Sequence, residues 1–171
     1  MDEQMISKAV EAVIRQMSPG HEEKPHQCRC RKHKMTLKLA TALIKKVEDK
    51  AEEMGLAVVV AVSDAAGRVA AVHCMDGAYI ASYDIAVNKT FTSASLKMST
   101  AKLSKLSQPG QPLYGIQHTN EGKIVIFGGG EPLETEGSII GALGVSGGSA
   151  EEDTALAAYG REMLKEVISC Q

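Results

Sequence analysis

Within the stretch HQCRCRKH, His26, Cys28, Cys30 and His33 bring imidazole and thiol groups close together in the chain. These are the usual donor types for zinc. A single residue separates Cys28 from Cys30, however, whereas zinc sites ordinarily leave two to four residues between paired cysteines. The favoured reading is a thiol-bearing tether, with a metal site at Cys28, Cys30 and His26 as the alternative. Arg29, Arg31, Lys32 and Lys34 add a small basic patch, read as solvated. A second kind of chemistry is offered by Ser146-Gly147-Gly148-Ser149, a turn entering a helix. Free amides at such a point attract phosphate. Glu151, Glu152 and Asp153 follow at once and would repel it, so the favoured reading is a capping box from Ser149 to Glu152. No Gly-X-Ser-X-Gly elbow or Walker lysine occurs, and no base is identifiable beside the serines. Asp64 and Asp76 open turns, where aspartate is favoured for its local hydrogen bonds, and Asp153 is accounted for by the cap.

These residues need a scaffold. Ile6, Val10, Val13 and Met17 form a narrow apolar stripe on a short helix at 1–17, closed by Ser18-Pro19-Gly20. Residues 18–34 show no apolar period and read as a flexible linker that holds the Cys and His residues. A short amphipathic helix on such a tether buries its stripe against a partner or folds back onto its own domain. The domain itself is expected over 35–171. Leu37, Ala40, Ile44, Val47, Ala51 and Met54 alternate steps of three and four, and Gly55 closes that helix. Leu56 to Ser63 reads as a buried strand and Arg68 to Cys74 as its hairpin partner across Asp64-Ala65-Ala66-Gly67. A helix over Tyr79 to Met98, a short one over Ser99 to Ser107, and a loop from Gln108 to Asn120 follow. Lys123 to Phe127 reads as a third strand, Gly128-Gly129-Gly130 as a tight or closely approached backbone, and Gly137 onward as another strand leading into a final helix from about 150 to 169. The order implies an α+β protein with an antiparallel sheet covered by helices.

The chain has 171 residues, enough for one ordinary domain and a short appendage, and 44% apolar residues supply its core. That core is aliphatic, because there are two Phe, four Tyr and no Trp, which also leaves few platforms for stacking nucleic acid bases. A net charge of -2 argues against nucleic acid and membrane partners. No apolar run reaches the length of a bilayer span, and Asp2 and Glu3 without an apolar region behind them speak against a secretory signal. Four cysteines are read as free thiols in a reducing cytoplasm.

Six motifs in order, SDAAGRV, MDGA, NKTFTSASLKMS, QPGQPLYGIQ, IVIFGGGEPL and GSIIGALGVSGGSAEED, resemble the GlcG/HbpS haem-binding family. They look most like its members at the C-terminus of propanediol-utilisation corrinoid adenosyltransferases. The resemblance covers about Met35 to Ser169, and the adenosyltransferase domain has no counterpart in this chain. It implies a profilin-like three-layer α/β/α fold, a homo-oligomer, and binding of haem or, less favoured, a corrinoid. An accessory protein without adenosyltransferase activity follows. The alternatives are an enzyme or enzyme accessory that reduces or degrades the tetrapyrrole or acts on a small metabolite, and a scaffold without ligand. Residues 1–17 resemble the encapsulation peptides of bacterial microcompartment cargo, implying a shell or cargo partner, a location inside a microcompartment, and service to a vitamin-dependent or glycyl-radical enzyme system.

With haem implied, its iron needs a nitrogen, sulfur or phenolate ligand. His73 on the second strand and His118 in the long loop are candidates, each also explicable as an ordinary polar residue at an element's edge. His33, just ahead of the first domain helix, is a third candidate, with a solvated side chain as the favoured reading. Cys74 stands where relatives carry arginine before the MDGA motif, which removes a propionate-binding cation or introduces a thiolate ligand. Covalent attachment is excluded, since no Cys-X-X-Cys-His is present.

Overall fold

The computed structural model describes residues 34–169. The expected targeting helix at 1–17 and the linker residues His26, Cys28, Cys30 and His33 lie outside the described residues.

Helix α1, Leu37–Glu53, starts where the Thr36 hydroxyl accepts from the Leu39 amide at 3.1 Å, and it ends at Met54 with Gly55 at φ 70°. Its buried face is Leu39, Ala40, Leu43, Ile44, Val47 and Ala51. Leu37 and Met54, expected on that stripe, are exposed because they sit at the helix ends, beyond the sheet's cover.

Strands β1, Val59–Asp64, and β2, Val69–Cys74, form the expected antiparallel hairpin. Asp64 builds its turn: Oδ1 accepts from the amides of Ala66 at 2.8 Å and Arg68 at 3.0 Å. Helix α2, Ser82–Leu96, and the short α3, Thr100–Leu106, follow. The sheet is completed by β3, Gly130–Thr135, and β4, Ser138–Ser146, in the antiparallel order β2-β1-β4-β3. Helix α4, Ala150–Ser169, ends the described chain. Its capping box is formed as expected: the Glu152 amide donates to the Ser149 hydroxyl at 3.2 Å and the Ser149 amide to the Glu152 carboxylate at 2.8 Å.

The third strand is not where the apolar run at 123–127 placed it. It begins at Gly130. The earlier run is tied instead to α2, because the Val125 amide donates to Thr92 Oγ1 at 3.0 Å while that hydroxyl's proton goes to the Asn88 carbonyl at 2.7 Å. The Val125 amide is thereby satisfied without a strand partner. Pro132 within this strand is tolerated because β3 is a sheet edge.

Three layers result. On one face α1 and α4 pack with Val58, Val60, Val62, Leu133, Leu143 and Val145. On the other, Val59 and Ala61 meet Ala86 of α2. The strand at 56–63 looked uniformly apolar because both of its faces are covered. Helix α2 lies unusually close to the sheet: a Cβ at Gly144 would collide with the Ala86 carbonyl. Its inner face is accordingly small, with Ser82, Ala86, Thr90, Ser93 and Ala94 buried. Among the described residues no helix is long and apolar enough to cross a membrane.

Candidate functional site

The two ends of β4 carry different chemistry. At its start, two adjoining cavities of about 380 Å³ and 460 Å³ share Ala65, Ser138 and Ile139. Met35, Ala66 and Ile140 extend the apolar floor of the first. Lys34 and Arg68 line the first and Lys97 the second, where α2 ends in the left-handed conformation at φ 53°. Asp64 also lines the first cavity and takes the Arg68 Nε at 3.0 Å. Partial burial pushes this carboxyl up, but the Arg68 and Ala66 amides and the guanidinium outweigh it, leaving Asp64 below its ordinary range. The rim carries three cations, Lys34, Arg68 and Lys97, against two carboxylates, Asp64 and Glu134, and an apolar floor with a net positive rim suits a flat apolar body with anionic substituents.

At the other end, α2 contributes Lys89, fully buried. Its Nζ donates to the Val145 carbonyl at 2.7 Å and to Asp153 Oδ2 at 2.7 Å, and it lies 5.0 Å from the centre of the Phe127 ring. Asp153 Oδ1 accepts from the Gly148 amide at 3.0 Å, which pins the turn into α4. Gly129, at φ 109°, makes the room: a Cβ there would stand 2.6 Å from Nζ. Burial pulls the ammonium below its usual range, and the Asp153 carboxylate opposes that pull. Beside the pair is a cavity of about 280 Å³ lined by Tyr79, Ser82, Ile85, Phe127, Ser146 and Asp153, among others.

The expected ligand residues stand apart from one another. His73 Nδ1 is 2.9 Å from Glu48 Oε1 of α1, on the α1 and α4 face of the edge strand β2. Cys74, next to it on β2, is exposed. His118 closes a 3₁₀ turn, Ile116–His118, with Nε2 3.3 Å from the neighbouring Gln117 Nε2. None of the three lines the cavities above. Among the described residues no three His, Cys, Asp or Glu side chains converge as a metal site.

Sequence reasoning missed the Lys89–Asp153 pair. The available signal was a lone lysine within the small-residue stretch AVNKTFTSAS, since a charge on a face of Ala, Thr and Ser must be buried with a partner. Asp153 was hidden behind Glu151 and Glu152, whose capping roles accounted for all three.

The fold is an α/β/α domain with surface cavities and, among the described residues, no cluster of metal-ligating side chains. The family described as haem degrading protein HbpS-like matches residues 35–162, and the chain belongs to that family. It is 41% identical over 133 residues to an uncharacterised 15.0 kDa protein of the dhaT-dhaS intergenic region of Citrobacter freundii, spanning 78% of this chain and 94% of that one. Against the corrinoid adenosyltransferase PduO of the same organism it is 40% identical over 108 residues, covering 63% of this chain but only 32% of PduO. Among solved structures, Klebsiella pneumoniae ORFY superposes with a TM-score of 0.75 at 42% identity, over 77% of this chain and 90% of that one. The PduOC:haem complex superposes at 0.73 with 34% identity, over 75% and 94%.

Proposed function

We propose that this chain is an accessory protein that binds haem in the groove at the start of β4. The observation that carries the reading is the lining of that groove: Met35, Ala65, Ala66, Ile139 and Ile140 match a macrocycle, and Lys34, Arg68 and Lys97 match its propionates. His33, which immediately precedes Lys34 in the sequence, is the proposed iron ligand, ahead of His73 and His118. His73 already meets Glu48, and Cys74 is a less favoured thiolate. When bound, haem supplies a redox-active iron. The chain's own residues orient the ring, neutralise its carboxylates and limit solvent. The complex of PduOC with haem supports this choice of tetrapyrrole over a corrinoid. The open groove favours closure by a second copy of the chain, so the protein is proposed to be a homo-oligomer.

Haemin added to the full chain is expected to give a sharpened Soret band that is lost in His33→Ala and retained in His73→Ala and His118→Ala. Retention in His33→Ala with loss in either other variant would move the ligand to that residue. No spectral change with haemin or cobalamin would remove the tetrapyrrole reading.

The family's description favours a second reading, turnover of haem. It predicts that the Soret band is consumed when a reductant is supplied, and a stable band excludes it. Residues 1–17 are proposed to address the protein to a bacterial microcompartment, on the strength of their amphipathic stripe. Removing 1–20 should abolish co-purification with shells and leave the Soret titration unchanged.

A further inference from the structure

The cavity at the far end of β4 belongs to no part of the haem reading. Ser138 borders the groove and Ser146 this cavity, so eight residue steps separate them, on the order of 26 Å at strand rise. Its lining is mixed, with Ile85, Phe127 and Tyr79 supplying carbon surface and Ser82 and Ser146 the small polar residues. Both serines are at least 95% buried, with exposures of 4% and 5%. Their mutual contact is 3.3 Å, longer than the 2.5–3.0 Å of a sound O–H···O hydrogen bond. The two hydroxyls are each other's partner, but one contact uses only one of their two protons, so the pair keeps one donor for a further acceptor at the cavity that both serines line.

The surrounding charge selects what completes them. The cavity's carboxylate, Asp153, is neutralised by Lys89 and spends its other oxygen on the Gly148 amide. The ammonium is fully buried and turned into Asp153, Val145 and the Phe127 ring, so it offers no cation to an anion. Glu151 and Glu152 at the head of α4 add negative potential. An anion is disfavoured, and a cation finds no open carboxylate.

We propose that this cavity binds a small neutral molecule carrying adjacent hydroxyl groups. Each hydroxyl donates to one serine and accepts from the other, and the ligand's carbon end packs on Ile85 and Phe127. The site is independent of the haem groove and is tested without haem.

The probe is 1,2-butanediol, titrated into the full chain with ¹³C-labelled isoleucine methyls. The Ile85 methyl is expected to shift saturably while Ile44, in the core beneath the opposite face, stays still. In Ser146→Ala and Ser82→Ala the apparent Kd should rise at least tenfold, with the Ile44 resonance and the haemin titration unchanged as reports of an intact fold. Acetate at the same concentration should leave Ile85 unmoved. An unmoved or non-saturating Ile85 methyl, an equal response to acetate, or unaltered affinity in both folded serine variants would overturn the proposal. Loss of haemin binding alone would overturn only the haem reading.

Discussion

Lys89 carries an ammonium into a site with no access to water, and only the groups fixed around it make that tolerable. Removing one partner of such a pair strands the other charge, at about 3–5 kcal/mol. Asp153→Ala should therefore lower unfolding stability by about that much in urea melts, and the double replacement Lys89→Met with Asp153→Leu should cost less than Asp153→Ala alone. A double variant worse than the single would mean that the pair is needed for more than mutual neutralisation. Asp64 gives a pH signature. Its folded pKa is depressed, so the folded state holds fewer protons there than the unfolded one. The stability it contributes is complete above the ordinary value of 3.8 and is lost as pH falls through the lowered folded value. Asp64→Ala should lose about 1–2 kcal/mol at neutral pH, from two backbone hydrogen bonds and a guanidinium contact, and the gap to the parent should close in acid. Paired thermal melts at pH 7 and below 3 measure it.

At the level of elements, the close approach of α2 to the sheet decides most of what the sites can be. Gly144→Ala places a methyl on the Ala86 carbonyl, and since neither backbone can give way alone, the helix must lift. Overpacking of this kind costs about 1–3 kcal/mol and at times more. Lifting α2 also moves Ser82 and Ile85, so the diol-induced shift should be lost along with stability. Ser149→Ala is the contrasting case. It removes a cap at about 1 kcal/mol and should leave the Ile85 response in place. Chemical denaturation of the two variants, read beside their methyl spectra, separates geometry from stability.

For the whole molecule, three of the exposed large apolar side chains, Tyr79, Ile80 and Tyr83, fall together at the start of α2. Tyr79 is 74% exposed and Phe127 is also open, both lining the proposed diol cavity, and Ile80, next to Tyr79 in the chain, is 97% exposed. Exposed aliphatic and aromatic groups beside one cavity mark an interaction surface. If the proposed homo-oligomer uses it, Ile80→Glu should lower the mass measured by light scattering, with the far-UV spectrum preserved. An unchanged mass would place the assembly interface elsewhere on the domain.

The order of helices and strands was legible because each is a local matter: the three and four spacing of α1, the hairpin turn built by Asp64, the Ser149 and Glu152 box. Even there the third strand was displaced, since the run at 123–127 is tied by its Val125 amide to Thr92 of α2 and the pairing with β4 falls to an edge strand that holds Pro132. Family membership was also legible, through motifs spread along the domain. What only the tertiary structure decided is which distant residues meet. Lys89 and Asp153 are far apart in the chain and read as a helix surface charge and a cap residue, yet they form one buried pair because α2 lies against the glycine-lined strand β4. Conversely, His73 and Cys74, neighbours in sequence, diverge across an edge strand, because side chains alternate faces and adjacency along a strand separates what spacing alone would join.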